Sequence, residues 1–170
     1  HFFFGSGMNL TKGSTINVNM NGATIESNQT KGDDGMGGGV YFENTSVSGK
    51  YIFNIKLNHG ILAKNQAAYG GGLYAYKGNV GSILTAGKTL QIYDNVATSD
   101  GGGVYIKDGN LEMAAGQVSN NEASNYGGGI SINGGNFSLQ QGKINGNESP
   151  VTGGIYMAGG EFTMEDGEIE

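Results

Sequence analysis

The chain has 170 residues with 34 glycines, one proline, no cysteine and no arginine, and its formal net charge is −6. The absence of cysteine excludes disulfides and the usual cysteine-ligated zinc sites, and nine scattered lysines leave no basic stripe for nucleic-acid phosphates. We therefore expect no nucleic-acid partner. No apolar run approaches the length of a membrane span, so we expect no membrane insertion by this segment.

The chain divides into repeated units that are marked by a glycine triplet. Residues 1–36 form an irregular first unit, which contains the alternating stretch "TINVNM". Successive triplets then begin "GGGVYF", "GGGLYAY", "GGGVYI", "GGGISI" and the degenerate "TGGIYM". They define units at residues 37–69, 70–100, 101–126, 127–151 and 152–170 of a single domain, residues 1–170, which we expect to be a segment of a longer or stacking solenoid.

Each unit contains short segments in which apolar and polar residues alternate. In the unit 101–126 these segments are residues 104–106, 111–113 and 117–119, with glycine near each break. Alternation between glycine breaks predicts strands joined by turns, and no window sustains the apolar spacing of a helix. Three strands per repeat, repeated in register, predict an all-β, right-handed parallel β-helix of about six coils. A propeller blade needs four strands in about 40 residues, so it fits less well.

The glycine triplets are expected to form corners where a Cβ would clash between coils. A phosphate-binding loop would need a lysine and then Ser or Thr after the last glycine, and the calcium-binding nonapeptide would place Asp nearby. Neither pattern is present, so we expect no cofactor and no metal. The predicted corner glycines are Gly37, Gly38, Gly39, Gly70, Gly71, Gly72, Gly101, Gly102, Gly103, Gly127, Gly128, Gly129, Gly153 and Gly154.

A second signature, an aliphatic residue followed three positions later by asparagine, closes the third segment of each unit. Asparagines stacked at one level can hydrogen-bond to the residues above and below, and asparagine tolerates the left-handed backbone of a corner. This pattern predicts an inward-facing structural ladder of Asn28, Asn65, Asn95, Asn121 and Asn147.

The first strand of each unit places one residue on the outer side of the sheet. Strand alternation directs Val104 and Ile106 inward and Tyr105 outward. The outward file contains Tyr41, Tyr74, Tyr105 and Tyr156, and Ser131 interrupts it. These tyrosines are the candidate contact face for a glycan or a protein receptor, because tyrosine rings stack on sugar faces. Mutual stacking between neighbouring coils is the alternative.

With "GGGVY" and the aliphatic-x-x-Asn element, the sequence resembles the GGA(I/L) and FxxN repeats of chlamydial polymorphic outer-membrane proteins. It also resembles related adhesin-like and autotransporter passenger domains of bacterial cell surfaces. The resemblance covers five of the six units. It implies an extracellular, non-catalytic rod at the cell surface that adheres to a partner or displays an exposed surface.

Three functions follow as hypotheses. The first is a surface adhesin, stalk or structural fibre segment. The second is a filament subunit that stacks head to tail on copies of itself, with Phe2, Phe3 and Phe4 at one end and an acidic tail at the other that could meet Lys12 or Lys31. Unpaired strand edges at the ends of a β-helix favour such contacts.

The third hypothesis is a polysaccharide lyase or hydrolase, with carboxylates of Asp94, Asp100 and Glu122 brought together on adjacent coils. The chain has no arginine, His59 stands alone, and the turns are short, so we expect no catalytic residue and no enzyme activity. Among the Asn-x-Ser/Thr sequons, Asn44 is expected to be the accessible one.

Overall fold

The computed structural model of the chain describes residues 2–4, 15–44, 52–77, 79–82 and 89–170. These residues form strands and turns, and none of them lies in a helix; no helix among them is long and apolar enough to cross a membrane. The strands are β1 (Phe2–Phe4), β2 (Thr15–Glu26), β3 (Val40–Glu43), β4 (Ile52–Ala63), β5 (Gln66–Tyr69), β6 (Leu73–Tyr76), β7 (Asn79–Ser82), β8 (Leu90–Tyr93), β9 (Val96–Asp100), β10 (Val104–Lys107), β11 (Asn110–Met113), β12 (Gln117–Ser119), β13 (Glu122–Ala123), β14 (Ile130–Asn133), β15 (Phe137–Asn145), β16 (Ile155–Met157) and β17 (Phe162–Ile169).

The strands form three parallel sheets, numbered here I to III. Sheet I has the order β1-β3-β6-β10-β14-β16. Sheet II has the order β11-β7-β4-β8-β12-β15-β17, with β2 beside β4 and an additional pairing of β11 with β15. Sheet III is short and has the order β13-β9-β5. The prediction of an all-β chain is therefore confirmed for the described residues.

Equivalent positions of successive units lie side by side in these sheets. In sheet I, Val104 is aligned with Leu73 on one side and with Ile130 on the other. In sheet II, Leu111 is aligned with Phe137. The spacing of the repeats thus sets the register, because each unit places the same apolar residue opposite its counterpart in the next unit.

The assignment of strands to sheets differs from the sequence-based expectation. The second and third predicted segments belong to the same sheet, and in β15 and β17 they form one continuous strand. Gly142 allows this continuity in β15: its φ is +112°, and a Cβ there would lie 2.6 Å from the carbonyl oxygen of Gly116. A glycine at this bend keeps the strand in the sheet where another residue would be strained.

Sheet III consists of residues between the ladder asparagine and the next glycine triplet, which lie outside the three segments predicted for each unit. Its inward positions are small residues, Ala67, Ala97 and Ala123, which are at most 1% exposed. Segments of two to five residues around an alanine carry little strand signal of their own. Pairing with the neighbouring units, rather than local propensity, makes them strands.

The interior between the sheets is aliphatic. Its fully buried side chains include Leu62, Leu73, Ile106, Ile130 and Leu139. Complete burial of one such side chain contributes about 1.5–3 kcal/mol relative to exposure in water. A cavity of about 20 Å³ remains among Leu57, Val104 and their apolar neighbours. It holds at most one water molecule and offers no polar partner for it, so we assign it no ligand.

Candidate binding surface

The five predicted ladder asparagines form one hydrogen-bonded file. The backbone N–H and the Nδ2 of Asn65 both donate to Oδ1 of Asn95, at 3.0 Å each. Asn95 donates in the same way to Asn121, at 3.0 and 2.9 Å. The same pair of bonds joins Asn28 to Asn65 and Asn121 to Asn147. The ladder is therefore continuous through five units.

The ladder amides from Asn65 to Asn147 also donate back to the unit before them. Nδ2 of Asn95 donates to the carbonyl oxygen of Leu62 at 2.9 Å, and Nδ2 of Asn121 donates to that of Ile92 at 3.0 Å. Leu62 and Ile92 are the aliphatic residues of the preceding aliphatic-x-x-Asn elements. One asparagine thus connects three consecutive units, and the central members of the file are at most 1% exposed.

The left-handed residue of this corner is the one before the asparagine rather than the asparagine itself. Ser27, Lys64, Asp94 and Asn120 have φ between 53° and 58°, and Gly146 has φ +62°. The expectation that the asparagine occupies this conformation is corrected. A left-handed residue at the preceding position turns the chain, so that the asparagine side chain can enter the interior.

The glycine triplets are packed against the next unit. The first glycine is left-handed, with φ of +60°, +64°, +67° and +62° at Gly37, Gly70, Gly101 and Gly127. At the second, a Cβ on Gly102 would lie 2.3 Å from the oxygen of Gly128. The remaining predicted corner glycines, at 38, 39, 71, 72, 103, 128, 129, 153 and 154, line the same corner.

The predicted tyrosine face is largely covered. Tyr74 and Tyr105 are only 4% and 6% exposed, whereas Tyr41 and Tyr156 are half-buried. The ring centroids of Tyr41 and Tyr74 are 5.3 Å apart with planes at 15°, and those of Tyr74 and Tyr105 are 5.4 Å apart at 9°. The expectation of an exposed contact face does not hold at Tyr74 and Tyr105, because in-register strands stack their rings on one another.

Neighbouring residues form hydrogen bonds with the tyrosine hydroxyls of this stack, and burial changes the hydroxyl pKa values. Tyr41 donates its hydroxyl hydrogen bond to Oε2 of Glu43 at 2.7 Å, and Nδ2 of Asn133 donates to the Tyr105 oxygen at 3.4 Å. Burial, with a smaller effect of the neighbouring Tyr105 and Glu43, raises the pKa of Tyr74 to about 12. Burial also raises the pKa values of Tyr41 and Tyr105. These phenols stay neutral at physiological pH.

Two further tyrosines, which the sequence reasoning missed, lie beside this file. Tyr69 meets Tyr105 edge to face, with ring centroids 5.3 Å apart. Tyr126 stacks on Tyr156 at 4.5 Å with planes at 26°, and it is 38% exposed. Both residues immediately precede a glycine triplet, in "AYGGG" and "NYGGG". That shared position is the signal that could have identified them.

Asp100 occupies the equivalent place before its own triplet, between Tyr69 and Tyr126 along the corner. Burial raises its pKa, opposed by hydrogen bonds from the Tyr126 backbone N–H and from the side chains of Asn125 and Ser99. Its Oδ1 is shielded from water and accepts no hydrogen bond. The other two acids considered for catalysis, Asp94 and Glu122, are exposed.

The predicted end-to-end contacts are described in part. Strand β1 pairs with β3 so that Phe2, Phe3 and Phe4 align with residues 40–42, and their side chains, like Lys12, lie outside the described residues. Their role in contacts between copies stays a prediction. On the opposite side, Phe162, Met164 and Ile169 of β17 are 40–44% exposed.

Two remaining sequence-based expectations concern modification and metals. Asn44 is 7% exposed and its Nδ2 donates to the Lys77 carbonyl at 3.4 Å, so the sequon expected to be accessible is covered in the folded chain. Among the described residues, no group of three or more His, Cys, Asp or Glu side chains is placed to hold a metal ion. The charged loop with Lys31, Asp33 and Asp34 forms an open surface concavity beside Tyr41.

Comparison with known proteins does not assign the chain to a family. No family model matches the sequence, no curated protein matches it, and no solved structure matches its fold.

Proposed function

We propose that the chain is a segment of a right-handed parallel β-helix that serves as a non-catalytic adhesin, stalk or fibre segment at a cell surface. The observation that carries the proposal is the asparagine ladder from Asn28 to Asn147. It joins equivalent positions of consecutive units, as stacked coils of one solenoid would require. Parallel strands with crossover connections are right-handed in about 98% of cases, which favours that hand.

The extracellular location rests on the resemblance to surface repeat proteins of bacteria, including chlamydial polymorphic outer-membrane proteins and autotransporter passenger domains. The structure offers a compatible physical feature: the chain is stabilised by side-chain ladders and stacked rings and contains no cysteine. Its register-locked units suit a body whose role is to extend and to present surface.

Labelling of intact cells tests this proposal. Antibodies raised against the chain should label cells that produce it without permeabilisation, and brief protease treatment of intact cells should remove the signal. Labelling that requires permeabilised cells would refute a surface location. A separate assay addresses catalysis: the purified chain should release no reducing ends from neutral or uronate polysaccharides, and time-dependent release would refute a non-catalytic role.

Self-association is a second candidate function, favoured by the exposed apolar edge of β17. Phe162, Met164 and Ile169 continue the inward files of the earlier units, and sheet edges with free backbone groups pair with other strands. A copy of the chain that contributed a matching strand would cover them. Sedimentation velocity over a hundredfold range of concentration tests self-association. Species whose size increases with concentration would support stacking, and a monomer at every concentration would refute it.

A further inference from the structure

Tyr126, which lies beside the outer tyrosine file, is more exposed than Tyr74 and Tyr105 of that file. Tyr74 and Tyr105 are covered by their neighbours, whereas Tyr126 keeps 38% of its surface accessible. It lies where Ser131 interrupts the stack, so the rings on either side of this point do not form one continuous pile. A ligand can therefore reach the ring of Tyr126, whereas it cannot reach the rings of Tyr74 and Tyr105.

The ring of Tyr126 is held in place before any ligand arrives. It stacks on Tyr156 with centroids 4.5 Å apart, and its backbone oxygen accepts a hydrogen bond from the N–H of Gly101 at 3.0 Å. Tyr156 packs against one face of the ring. A ring that is already ordered loses little conformational entropy when a ligand packs on it.

Polar groups adjoin this ring on the residues beside it. Asn125 donates from Nδ2 to the Ser99 hydroxyl at 3.1 Å, on an exposed part of the same corner. The Asp100 carboxylate lies at the Tyr126 backbone N–H and is also hydrogen-bonded by the side chains of Asn125 and Ser99, while its Oδ1 is shielded from water. An apolar ring beside the exposed Asn125 amide matches a pyranose, which has an apolar C–H face and a rim of hydroxyl groups.

The local charge narrows the class of sugar. Glu122 lies on the same segment as Tyr126, and its backbone is bridged to that of Glu148 in the next unit, with both side chains exposed. Together with Asp100 they place three carboxyl groups on this corner. Acidic sugars such as uronates would be repelled there, whereas neutral sugars would not.

We propose that Tyr126, supported by Tyr156 and flanked by Asp100 and Asn125, is a binding site for a neutral pyranose unit of a glycan. The site deepens the adhesin function proposed above and rests on it for its biological meaning. It replaces the wider face of four tyrosines with one exposed ring and its polar neighbours.

Titration of the purified chain with neutral hexasaccharides of glucose, mannose and galactose tests the site, with isothermal calorimetry and amide chemical shifts as readouts. At least one sugar should bind and shift the amides of residues 99–100 and 125–127. The Tyr126→Ala variant should bind it about tenfold more weakly, equivalent to about 1.4 kcal/mol, because the ring platform is lost. Tyr126→Phe keeps the ring and should remain within about threefold.

Tyr69→Ala is the matched control, since Tyr69 also precedes a glycine triplet but packs edge-on against Tyr105. Its affinity should equal that of the unchanged chain, provided that both variants keep dispersed spectra. Equal affinity of the chain and of Tyr126→Ala would overturn the site, and so would preferred binding of oligogalacturonate. If no neutral sugar binds while intact cells are still labelled by antibody, the sugar site is wrong and the surface function stands.

Discussion

The asparagine ladder predicts a large and local loss of stability when its central member is removed. In Asn95→Ala, the Asn65 backbone N–H loses its acceptor in the interior, and the carbonyl of Leu62 and Oδ1 of Asn121 each lose a donor. A buried hydrogen-bonding group left without its partner costs about 1–3 kcal/mol. Some of these groups keep a second bond, so we expect a total of about 3–5 kcal/mol.

Urea unfolding followed by far-ultraviolet circular dichroism measures this loss. The matched control is Asn125→Ala, which removes an exposed asparagine outside the ladder together with its bonds to Ser99 and Asp100 and should lower the free energy of unfolding by less than about 1 kcal/mol. A loss below about 1 kcal/mol in Asn95→Ala, with the slope of the transition unchanged, would contradict the idea that the ladder is a principal stabilising element.

The variant Asn95→Asp separates the role of the amide from its volume. The new carboxyl would be fully buried and would face Oδ1 of Asn121 and the Leu62 carbonyl, both of which are acceptors. Its pKa in the folded chain should therefore be raised above that of the unfolded chain. The variant should be most stable below the unfolded pKa of about 3.9 and should lose stability as the pH rises through the folded pKa. Stability that increases with pH over this range would contradict the buried placement.

Three further predictions address the glycines, the left-handed corner and the tyrosine stack. Gly102→Ala should lower the free energy of unfolding, measured in urea, by about 1–3 kcal/mol, because its Cβ would overlap backbone oxygens at 2.3 and 2.4 Å. The control Gly159→Ala should be nearly neutral, since a Cβ there would have no atom within 4 Å. Lys64→Gly should raise the free energy of unfolding by up to about 1 kcal/mol, because φ is +55° at that position; a clear loss would argue against the left-handed corner. The folded-state pKa of Tyr74, about 12, lies above the ordinary 10, so its contribution to stability is complete below pH 10 and is lost as pH rises towards 12. Ultraviolet titration of phenolate should show this delayed ionisation, and Tyr74→Phe should lack that component.

The repeat in the sequence was sufficient to predict strands, their parallel pairing and their register. Identical apolar positions recur in successive units, so that only one alignment buries Val104, Leu73 and Ile130 together. The asparagine file follows from the same periodicity. In both cases the information is repeated several times along the chain, which makes each single position easy to recognise.

The burial of Tyr74 and Tyr105 could not be predicted from the repeat in the sequence. Alternation along a strand states which side of the sheet a residue faces, but it does not state what lies on that side. Tyr69, the last residue of the unit 37–69, reaches Tyr105 in the unit 101–126, and this contact depends on the path of the chain around the glycine triplet. The same limit explains why the sequence pattern does not predict the strands of sheet III, which are built around Ala67 and Ala97.

The glycine triplet and the aliphatic-x-x-Asn element pack against each other in the structure. A Cβ on the third glycine of a triplet would meet the ladder: at Gly103 it would lie 3.0 Å from Nδ2 of Asn121 and 2.7 Å from the oxygen of Gly129. Glycine therefore makes room for the asparagine, and the asparagine fixes the spacing at which the glycines of neighbouring units approach.

The degenerate triplet is consistent with this account. Its first position, Thr152, is not left-handed, and its hydroxyl oxygen accepts a hydrogen bond from the Gly127 N–H at 3.1 Å. Its third, Gly154, faces no ladder asparagine and has Cγ2 of Ile169 as its nearest neighbour, at 3.3 Å. Alanine should therefore be tolerated better at Gly154 than at Gly103, because a flexible side chain can move and a backbone oxygen cannot. Equal loss of stability in the two variants would show that the glycines serve the turn alone.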